Sequence, residues 1–322
     1  PLNTGMMKNM YETSSVGTRA DFNAMDRSRG DDNLNVSALL RYTPDTHQSY
    51  EFGLARKVRS PNLYERYVWS RSSMTLEMNN FIGDGNGYLG NPNLKPEVAY
   101  TASFTGDWHS SDEAYALRVT PYYTRALDYI DAVQWNAATN QPASTRLRNQ
   151  FVILKWMNQA ARLYGIDLSG QLPLADTAAG HFGLAGVVTY TRGRNTDTHD
   201  DLYGIMPLNA RLSLTHRQGR WDDALEIVAV KAKHDVSEMR NEISTPGYAL
   251  VNLRGSYGWD KVRLDVGVEN LFDRRYDLPL GGAYLGEGAT MSFNKEAGGA
   301  SLWGTAVPGP GRSVYASLSV KF

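Results

Sequence analysis

The sequence predicts an all-β fold, an antiparallel transmembrane β-barrel of which about 11 strands are present. Polar and apolar residues alternate with period two, the connections alternate between short and long, and Tyr and Gly are abundant, at 19 and 30 of 322 residues. Only every second residue of a membrane-crossing strand must be apolar. A mean hydropathy of −0.44 is therefore compatible with a membrane protein.

The alternation of polar and apolar residues defines each predicted strand in turn. The strands span residues 35–42, 48–56, 97–108, 115–135, 147–172, 181–193, 207–217, 222–232, 247–259, 262–270 and 313–322. The last strand is the clearest, because every second residue from Val314 to Phe322 is apolar. In the strand before it, Leu264 belongs to the apolar row and Asp265 to the polar row.

The connections between these strands point to a barrel rather than a soluble sandwich or propeller. The long ones span residues 57–96, 136–146, 194–206, 233–246 and 271–312, and a short turn separates each from the next. A soluble sandwich has no reason to place every long loop at one end, whereas an outer-membrane barrel has short periplasmic turns and longer external loops. The last strand then ends in the periplasm, with the aromatic Phe322 on the lipid-facing row.

Eleven strands are half of a larger barrel, because single-chain barrels normally have an even number of strands. A barrel of about 22 strands has a lumen filled by a plug. We therefore expect residues 1–322 to be the C-terminal part of a barrel domain. On this interpretation the N-terminal plug domain and the first half of the barrel are absent from the chain.

Composition excludes several functional classes. Lys and Arg number 33 against 34 Asp and Glu, whereas a nucleic-acid-binding protein needs a basic stripe. Without Cys, a disulfide scaffold, an iron–sulfur cluster and a thiol enzyme are excluded. The nucleophile motif G-x-S-x-G is absent and no His lies near a nucleophile motif, so we expect no enzyme. A barrel enzyme and a purely adhesive barrel remain the alternatives from other functional classes.

Four segments carry a family resemblance. Val268–Tyr276, VENLFDRRY, resembles the "x-N-L-F-D-x-x-Y" segment of the TonB-dependent outer-membrane receptors, and Gly311–Phe322 resembles their last strand. Ala55–Glu65 and Asn91–Glu97 resemble their "R-x-P-x-L-x-E" and "N-P-x-L-K-P-E" segments. The residues that match are Asn270, Leu271, Phe272, Asp273, Tyr276, Arg59, Pro61, Glu65, Asn91, Pro92, Pro96, Glu97 and Phe322.

The resemblance implies active transport across the outer membrane of a Gram-negative bacterium. It implies energy coupling to the TonB–ExbB–ExbD complex through the missing plug, insertion by the barrel assembly machinery, and contact with outer-membrane lipid and lipopolysaccharide. Two stretches, Trp69–Gly90 and Leu278–Asn294, resemble the copper-receptor branch of the family. Copper would then be a transported substrate rather than a bound cofactor. A ferric siderophore is the alternative cargo.

Methionines are the candidate copper ligands, because Cu(I) is soft and prefers sulfur and imidazole ligands. The candidates are Met74, Met78, Met6, Met7, Met10 and Met291. The competing interpretation is that these thioethers fill gaps in packing. Four of the six His, namely His47, His109, His181 and His216, fall at short turns, which is the wrong end for capture from outside.

Charged residues outside the methionine segments are expected to be structural. Arg254, Arg263, Asp265 and Glu269 lie on the predicted lumen side and should pair with one another and with the plug. The acidic residues Asp197, Asp200 and Asp201 are expected to be solvated in their loop. The Gly83–Gly87 segment, GDGNG, is expected to provide turn geometry rather than a calcium site.

Overall fold

The structure is a computed structural model that describes residues 22–70, 82–136, 138–284 and 304–321. The described strands are β1 (Val36–Asp45), β2 (Gln48–Arg59), β3 (Gly87–Leu89), β4 (Glu97–His109), β5 (Ala116–Asn136), β6 (Gln141–Pro142), β7 (Ile153–Thr177), β8 (Gly180–Asn195), β9 (Asn209–Gln218), β10 (Trp221–Val230), β11 (Tyr248–Gly258), β12 (Val262–Glu269), β13 (Ala283–Tyr284), β14 (Thr305–Ala306) and β15 (Ser313–Val320). A short helix, α1 (Leu63–Tyr67), follows β2. No helix in these ranges is long and apolar enough to cross a membrane.

The eleven long strands form one antiparallel sheet in the order β1-β2-β4-β5-β7-β8-β9-β10-β11-β12-β15. Every long strand thus pairs with the next long strand along the chain, and all eleven predicted strands are confirmed. The prediction of a strand over 147–172 was wrong at both ends, since β7 spans Ile153–Thr177. At its start, the side-chain amide of Gln134 donates to the carbonyl of Leu147 and accepts from the backbone N–H of Leu147. These two hydrogen bonds hold Leu147 in a loop. At its end, a register shift between Pro173 and Ala175 lets pairing continue past the proline.

The short turns and the long loops lie at opposite ends of the sheet, as predicted. At the turn end, two residues separate β1 from β2, β8 from β7, and β10 from β9. At the loop end, the connections after β2, β5, β8, β10 and β12 are long, and they carry the four short strands and α1. Below, these two ends are called the turn end and the loop end.

The register confirms the predicted faces. In β12 and β15, Leu264 pairs with Leu318 and Val266 with Ala316, while Asp265 pairs with Ser317. The same apolar face continues across the sheet through Leu212, Ile227 and many other exposed apolar side chains. At the turn end this face finishes in aromatic contacts that include Tyr50 with Trp108 and Trp221 with Tyr257. Such an aromatic girdle is typical of a barrel strand at the membrane interface.

Buried apolar residues lie where loops cover the loop end of the sheet, because a single-layer sheet has no interior of its own. One cluster comprises Tyr88, Leu94, Ile130, Ala132, Val152, Leu154 and Trp156. A second comprises Ala126, Ala161 and Leu202. By contrast, the strands at the two ends of the sheet path, β1 and β15, are exposed along their whole length. The packed part of the described chain is therefore its loop layer.

Candidate functional site at the loop end

The guanidinium of Arg59 joins two of the sequence motifs. It donates to both carboxylate oxygens of Glu65, at 3.0 and 3.1 Å, and to both oxygens of Glu97, at 2.8 and 3.2 Å. Glu65 also closes a capping box with Asn62 at the start of α1. A planar guanidinium suits two bidentate carboxylates. The motif residues therefore fasten the start of the long 60–96 loop to the strand that ends it.

The Asn91–Glu97 segment fastens the same loop to β7. The amide of Asn91 donates to the carbonyl of Trp156 at 3.1 Å. Asn158 accepts from the backbone N–H of Lys95 at 2.8 Å and donates to its carbonyl at 2.9 Å. The Arg29 side chain donates to the carbonyl of Pro92 at 2.8 Å. These matched residues position the loop through hydrogen bonds within the chain.

Asn270 organises the turn after β12. Its backbone has a φ of 49°, its side chain is 3% exposed, and its amide accepts from Arg274 N–H at 2.8 Å and donates to the carbonyls of Arg274 and Pro310. Asp273, with a φ of 50°, accepts from the backbone N–H of Arg312 at 2.8 Å. The ring of Tyr276 lies against Gly309, where a Cβ would be 2.1 Å from the ring. This matched segment therefore fixes the crossing from β12 to β15.

Replacing Asn270 should separate backbone from side-chain effects. We expect Asn270→Ala to lower the free energy of unfolding by about 2–3 kcal/mol, because Ala resists a positive φ and the amide hydrogen bonds are lost. Asn270→Gly keeps the backbone conformation and should cost about 1 kcal/mol less. Urea unfolding of the full-length protein in lipid vesicles measures both changes. Equal losses in the two variants would contradict the conformational part of this account.

Two distant loop segments meet at one junction. The backbone N–H of Ala283 donates to the carbonyl of Gly83 at 2.9 Å. Gly83 and Gly282 have φ values of 81° and 73°, a conformation that glycine adopts without steric cost. A Cβ on Gly282 would lie 2.1 Å from the Gly83 oxygen, so only glycine fits there. The adjoining crevice, lined by Asp84 and Glu242 among others, holds about 20 Å³, room for one water molecule. The junction is therefore packed.

Lys233 and Glu242 form a buried ion pair beside this junction. The ammonium is 1% exposed, contacts the Glu242 carboxylate and donates to the carbonyl of Pro279 at 3.1 Å. Glu242 also accepts from the backbone N–H groups of Gly204 and Ser237, at 2.9 and 2.8 Å. A buried charge needs such pairing. The pair fastens three loops together.

Arg240 lies at the centre of the loop layer. Its guanidinium is buried, donates to Asp131 at 2.7 Å and lies 5.1–5.8 Å from the ring centres of Trp156, Tyr203 and Tyr88. Asn86 donates to the Arg240 carbonyl at 2.6 Å. A cation over aromatic faces is attracted by their quadrupoles. Arg240 thus ties loop 231–247 to the strands and to the GDGNG segment.

Asp84 and Tyr88 form a buried acid pair near Arg240. Burial raises the pKa of Asp84 above its usual range, against the hydrogen bond from Tyr88 and the positive charge of Arg240. Burial also raises the pKa of Tyr88 well above its usual value. Tyr88 is therefore a neutral phenol that donates a hydrogen bond to the Asp84 carboxyl. This pair positions the GDGNG segment, and it is too deeply buried to contact a large ligand.

The acidic loop differs from its prediction. Asp200 is 6% exposed and accepts from Ser237 Oγ and from the backbone N–H groups of Glu238 and Met239, at 2.8–3.0 Å. Asp201 pairs with Arg192 at 2.9 Å, and Asp197 accepts from the N–H of Ala160 at 2.8 Å. The prediction of a solvated loop was therefore wrong for Asp200, because neighbouring loop donors surround its carboxylate.

The candidate copper ligands Met74, Met78, Met6, Met7, Met10 and Met291 lie outside the described residues, as does Phe322. Within the described ranges, no group of three or more His, Asp or Glu side chains could hold a metal ion.

The four His predicted at turns lie at the turn end. The predicted pairing of the charged residues with one another is confirmed, since Arg254 lies 3.9 Å from Glu269 and Arg263 lies 2.8 Å from Asp265. Arg254 also lies 3.2 Å from Glu226, and pairing with a plug stays a prediction.

Comparison with known proteins identifies the family of this chain. The protein-family model described as "TonB dependent receptor-like, beta-barrel" matches residues 11–271. The heme/hemopexin utilization protein C of Haemophilus influenzae strain 86-028NP is 27% identical over 261 residues, which cover 76% of this chain and 35% of that protein. The chain thus spans about a third of the length of the curated relatives it matches.

Solved structures share the fold. The copper transporter OprC matches with a TM-score of 0.66 at 20% identity, covering 89% of this chain and 39% of that one. A mutant of the ferric enterobactin receptor PfeA from Pseudomonas aeruginosa matches with a TM-score of 0.63 at 19% identity, covering 89% and 40%. Because the family model covers more than half of the chain, this chain belongs to the TonB-dependent receptor β-barrel family of the Gram-negative outer membrane.

Proposed function

We propose that this chain is the C-terminal part of a TonB-dependent outer-membrane receptor that imports copper. A plug and further strands would complete the barrel, pair with the edges of β1 and β15, and couple transport to TonB. The proposal of transport rests on the single antiparallel sheet with every long loop at one end, together with the family match. The family consists of receptors that transport a ligand rather than enzymes.

The junction between Gly83 and Ala283 supports copper as the cargo. It joins the two stretches that resemble the copper-receptor branch, although they lie 200 residues apart. Met78 precedes Gly83 by five residues and Met291 follows Ala283 by eight. Candidate thioethers of both stretches are therefore separated from this junction by only five and eight residues of chain. Thioether sulfur binds Cu(I) without deprotonation and discriminates against hard cations.

Replacing the two methionines of the first stretch tests this cargo. In cells that produce the full-length receptor, we expect Met74→Leu/Met78→Leu to reduce TonB-dependent copper uptake at least about fivefold, because the soft ligands are lost. Leu keeps the volume and removes the sulfur lone pairs, a change that cores tolerate at under about 1.5 kcal/mol. Met25→Leu, on an exposed methionine outside both stretches, is the matched control and should leave uptake unchanged.

A second candidate cargo is a large iron chelate, either heme or a ferric siderophore. The 27% identity to the heme/hemopexin utilization protein C favours heme, because that match covers 76% of the chain. Uptake of copper, heme and ferric enterobactin by the same cells, with and without TonB, distinguishes the candidates. TonB-dependent uptake of heme or of the siderophore without copper would overturn the copper proposal while leaving the transport proposal intact.

A further inference from the structure

A small pocket lies at the loop end, between the segment before β1 and the loop after β2. Segment 22–31 lies against that loop, since the side chain of Arg29 donates to the carbonyl of Pro92 at 2.8 Å. The rings of Phe22 and Trp69 also stack, with their centres 5.8 Å apart. The pocket between the two segments has a volume of about 140 Å³. A cavity of about 150 Å³ holds one benzene molecule, so this pocket has room for a single ring.

The polar side chains that line the pocket present hydrogen-bond donors to it. They are Arg66, Asn91, Asn93, Asn140 and Lys155, and no carboxylate stands among the described lining residues. Both polar atoms of the Asn91 side chain are engaged within the chain. Any ligand of this pocket therefore has to supply acceptors to the remaining side chains.

The amide orientations of the other two asparagines are fixed by their partners. The side-chain oxygen of Asn93 accepts from the guanidinium of Arg29 at 2.9 Å. The side-chain oxygen of Asn140 accepts from the indole of Trp135 at 3.2 Å. Guanidinium and indole N–H groups can only donate, so the bonded atom of each amide is its oxygen. The NH2 groups of Asn93 and Asn140 remain for a ligand.

Arg66 adds a buried donor whose acceptor is missing. Its side chain is 8% exposed, and its Nη2 donates to Asp31 at 2.7 Å and to the carbonyl of Leu94 at 3.1 Å. Its Nε is buried and has no hydrogen-bond partner in the part of the chain that the structure describes. Buried polar groups are nearly always hydrogen-bonded. An acceptor bound in the pocket that Arg66 lines is placed to complete this side chain.

We propose that this pocket binds a small organic carboxylate of the size of one ring. An ionised carboxylate only accepts hydrogen bonds, which matches the donors of Arg66, Asn93 and Asn140. Hydrogen bonds from a cation to a carboxylate are about twice as strong as neutral ones, and the Lys155 ammonium adds a second positive charge to the lining. The ring of the ligand would contact Trp69 and the other apolar side chains of the pocket.

The size of the pocket separates this ligand from the transported cargo. Heme and ferric siderophores are several times larger than one ring, and the donor set offers no soft ligand for copper. A bound carboxylate would instead join segment 22–31 to the loop after β2, because side chains from both surround it. The site is therefore an accessory one that fastens these two segments.

The first test compares two ligands of the same shape on the full-length receptor in neutral detergent. Benzoate carries the carboxylate, and benzamide is its neutral analogue. Hydrogen bonds to a charged group are stronger than those between neutral groups. We therefore expect calorimetry to show that benzoate binds at least about tenfold more tightly than benzamide.

Two substitutions of nearly equal shape then locate the site. Asn93→Asp and Asn140→Asp each keep the oxygen that accepts within the chain and replace the NH2 donor by a negatively charged oxygen. We expect each variant to bind benzoate at least about tenfold more weakly than the wild type. The matched control is Asn35→Asp, the same change at an exposed residue outside the pocket, whose oxygen accepts from the backbone N–H of Val58 at 2.7 Å.

Thermal unfolding separates binding from folding. Without ligand, all three variants should have a Tm close to that of the wild type, because each keeps its accepted hydrogen bond. Addition of benzoate should raise the Tm of the wild type and of Asn35→Asp only, since a ligand stabilises the state that binds it. Absence of benzoate binding by the wild type, equal affinity for benzamide, equal affinity for inorganic phosphate, or undiminished benzoate binding by both pocket variants would each overturn the proposal.

Discussion

Arg240→Met should open the loop layer. The change keeps an unbranched side chain against the three aromatic rings but leaves Asp131 as a buried carboxylate without its cation. Removing one partner of a buried ion pair costs about 3–5 kcal/mol. We therefore expect hydrogen exchange across residues 231–247 to accelerate by roughly 100- to 4,000-fold, measured on the full-length protein in lipid vesicles.

Two companion variants show whether the buried charge causes this effect. Arg240→Met/Asp131→Asn removes the unpaired charge and should restore a large part of the protection. Arg148→Met breaks an exposed ion pair, in which the side chains of Arg148 and Glu238 are 59% and 40% exposed. This change should lower the free energy of unfolding by less than about 1 kcal/mol. Equal exchange in the single and double Arg240 variants would show that packing, rather than the charge of Asp131, holds the loops.

Leu212→Arg should destabilise the membrane-spanning part. Leu212 lies on the apolar face, between Gly186 and Ile227. Ile227 is six residues from the interfacial Trp221, about 20 Å along the strand, which places this row close to the middle of the apolar band. Arginine facing lipid at the midplane costs about 2–4 kcal/mol. Urea unfolding in vesicles measures this loss.

The adjacent residue supplies the matched control. Ser213 points to the opposite face, and its partner on β10 is Glu226, which already pairs with Arg211 and Arg254. An arginine at this position therefore joins a polar cluster and does not face hydrocarbon. We expect Ser213→Arg to change the free energy of unfolding by less than about 1 kcal/mol. If both substitutions cost the same, the assignment of the lipid and lumen faces is incorrect.

The sequence predicted the sheet well because a barrel strand encodes its own two faces. Period two along each strand was sufficient to place Leu264 with Leu318 on one face and Asp265 with Ser317 on the other. The alternation of short and long connections then ordered the strands. The start of β7 was misplaced because no local pattern in residues 147–152 marks them as a loop. The side chains of Gln134 and Asn241, from other segments, hold them there by bonding the backbone of residues 147–150.

The candidate site was predicted less completely, since its contacts connect separate loops. Arg240 and Asp131 are 109 residues apart, and no local pattern marks either residue. The same holds for Lys233, whose partners lie in its own loop and in the loop after β12. Asp200 has the sequence context of a solvated acidic residue, and only the fold brings the donors of residues 237–239 around it. The methionine ligands remain a prediction.

The strict two-residue repeat of the sheet also limits which changes of chain length the protein can accept. Inserting one residue into the middle of β9 would move every later side chain of that strand to the opposite face. Leu214 would then turn inwards, and a polar neighbour would meet hydrocarbon. Insertions in the connections at the loop end leave all of these strand pairings untouched, although much of the loop layer is packed. Epitope tags and grafted peptides therefore belong in the exposed stretches of those connections, such as residues 138–139, and single-residue deletions in the strands should prevent assembly.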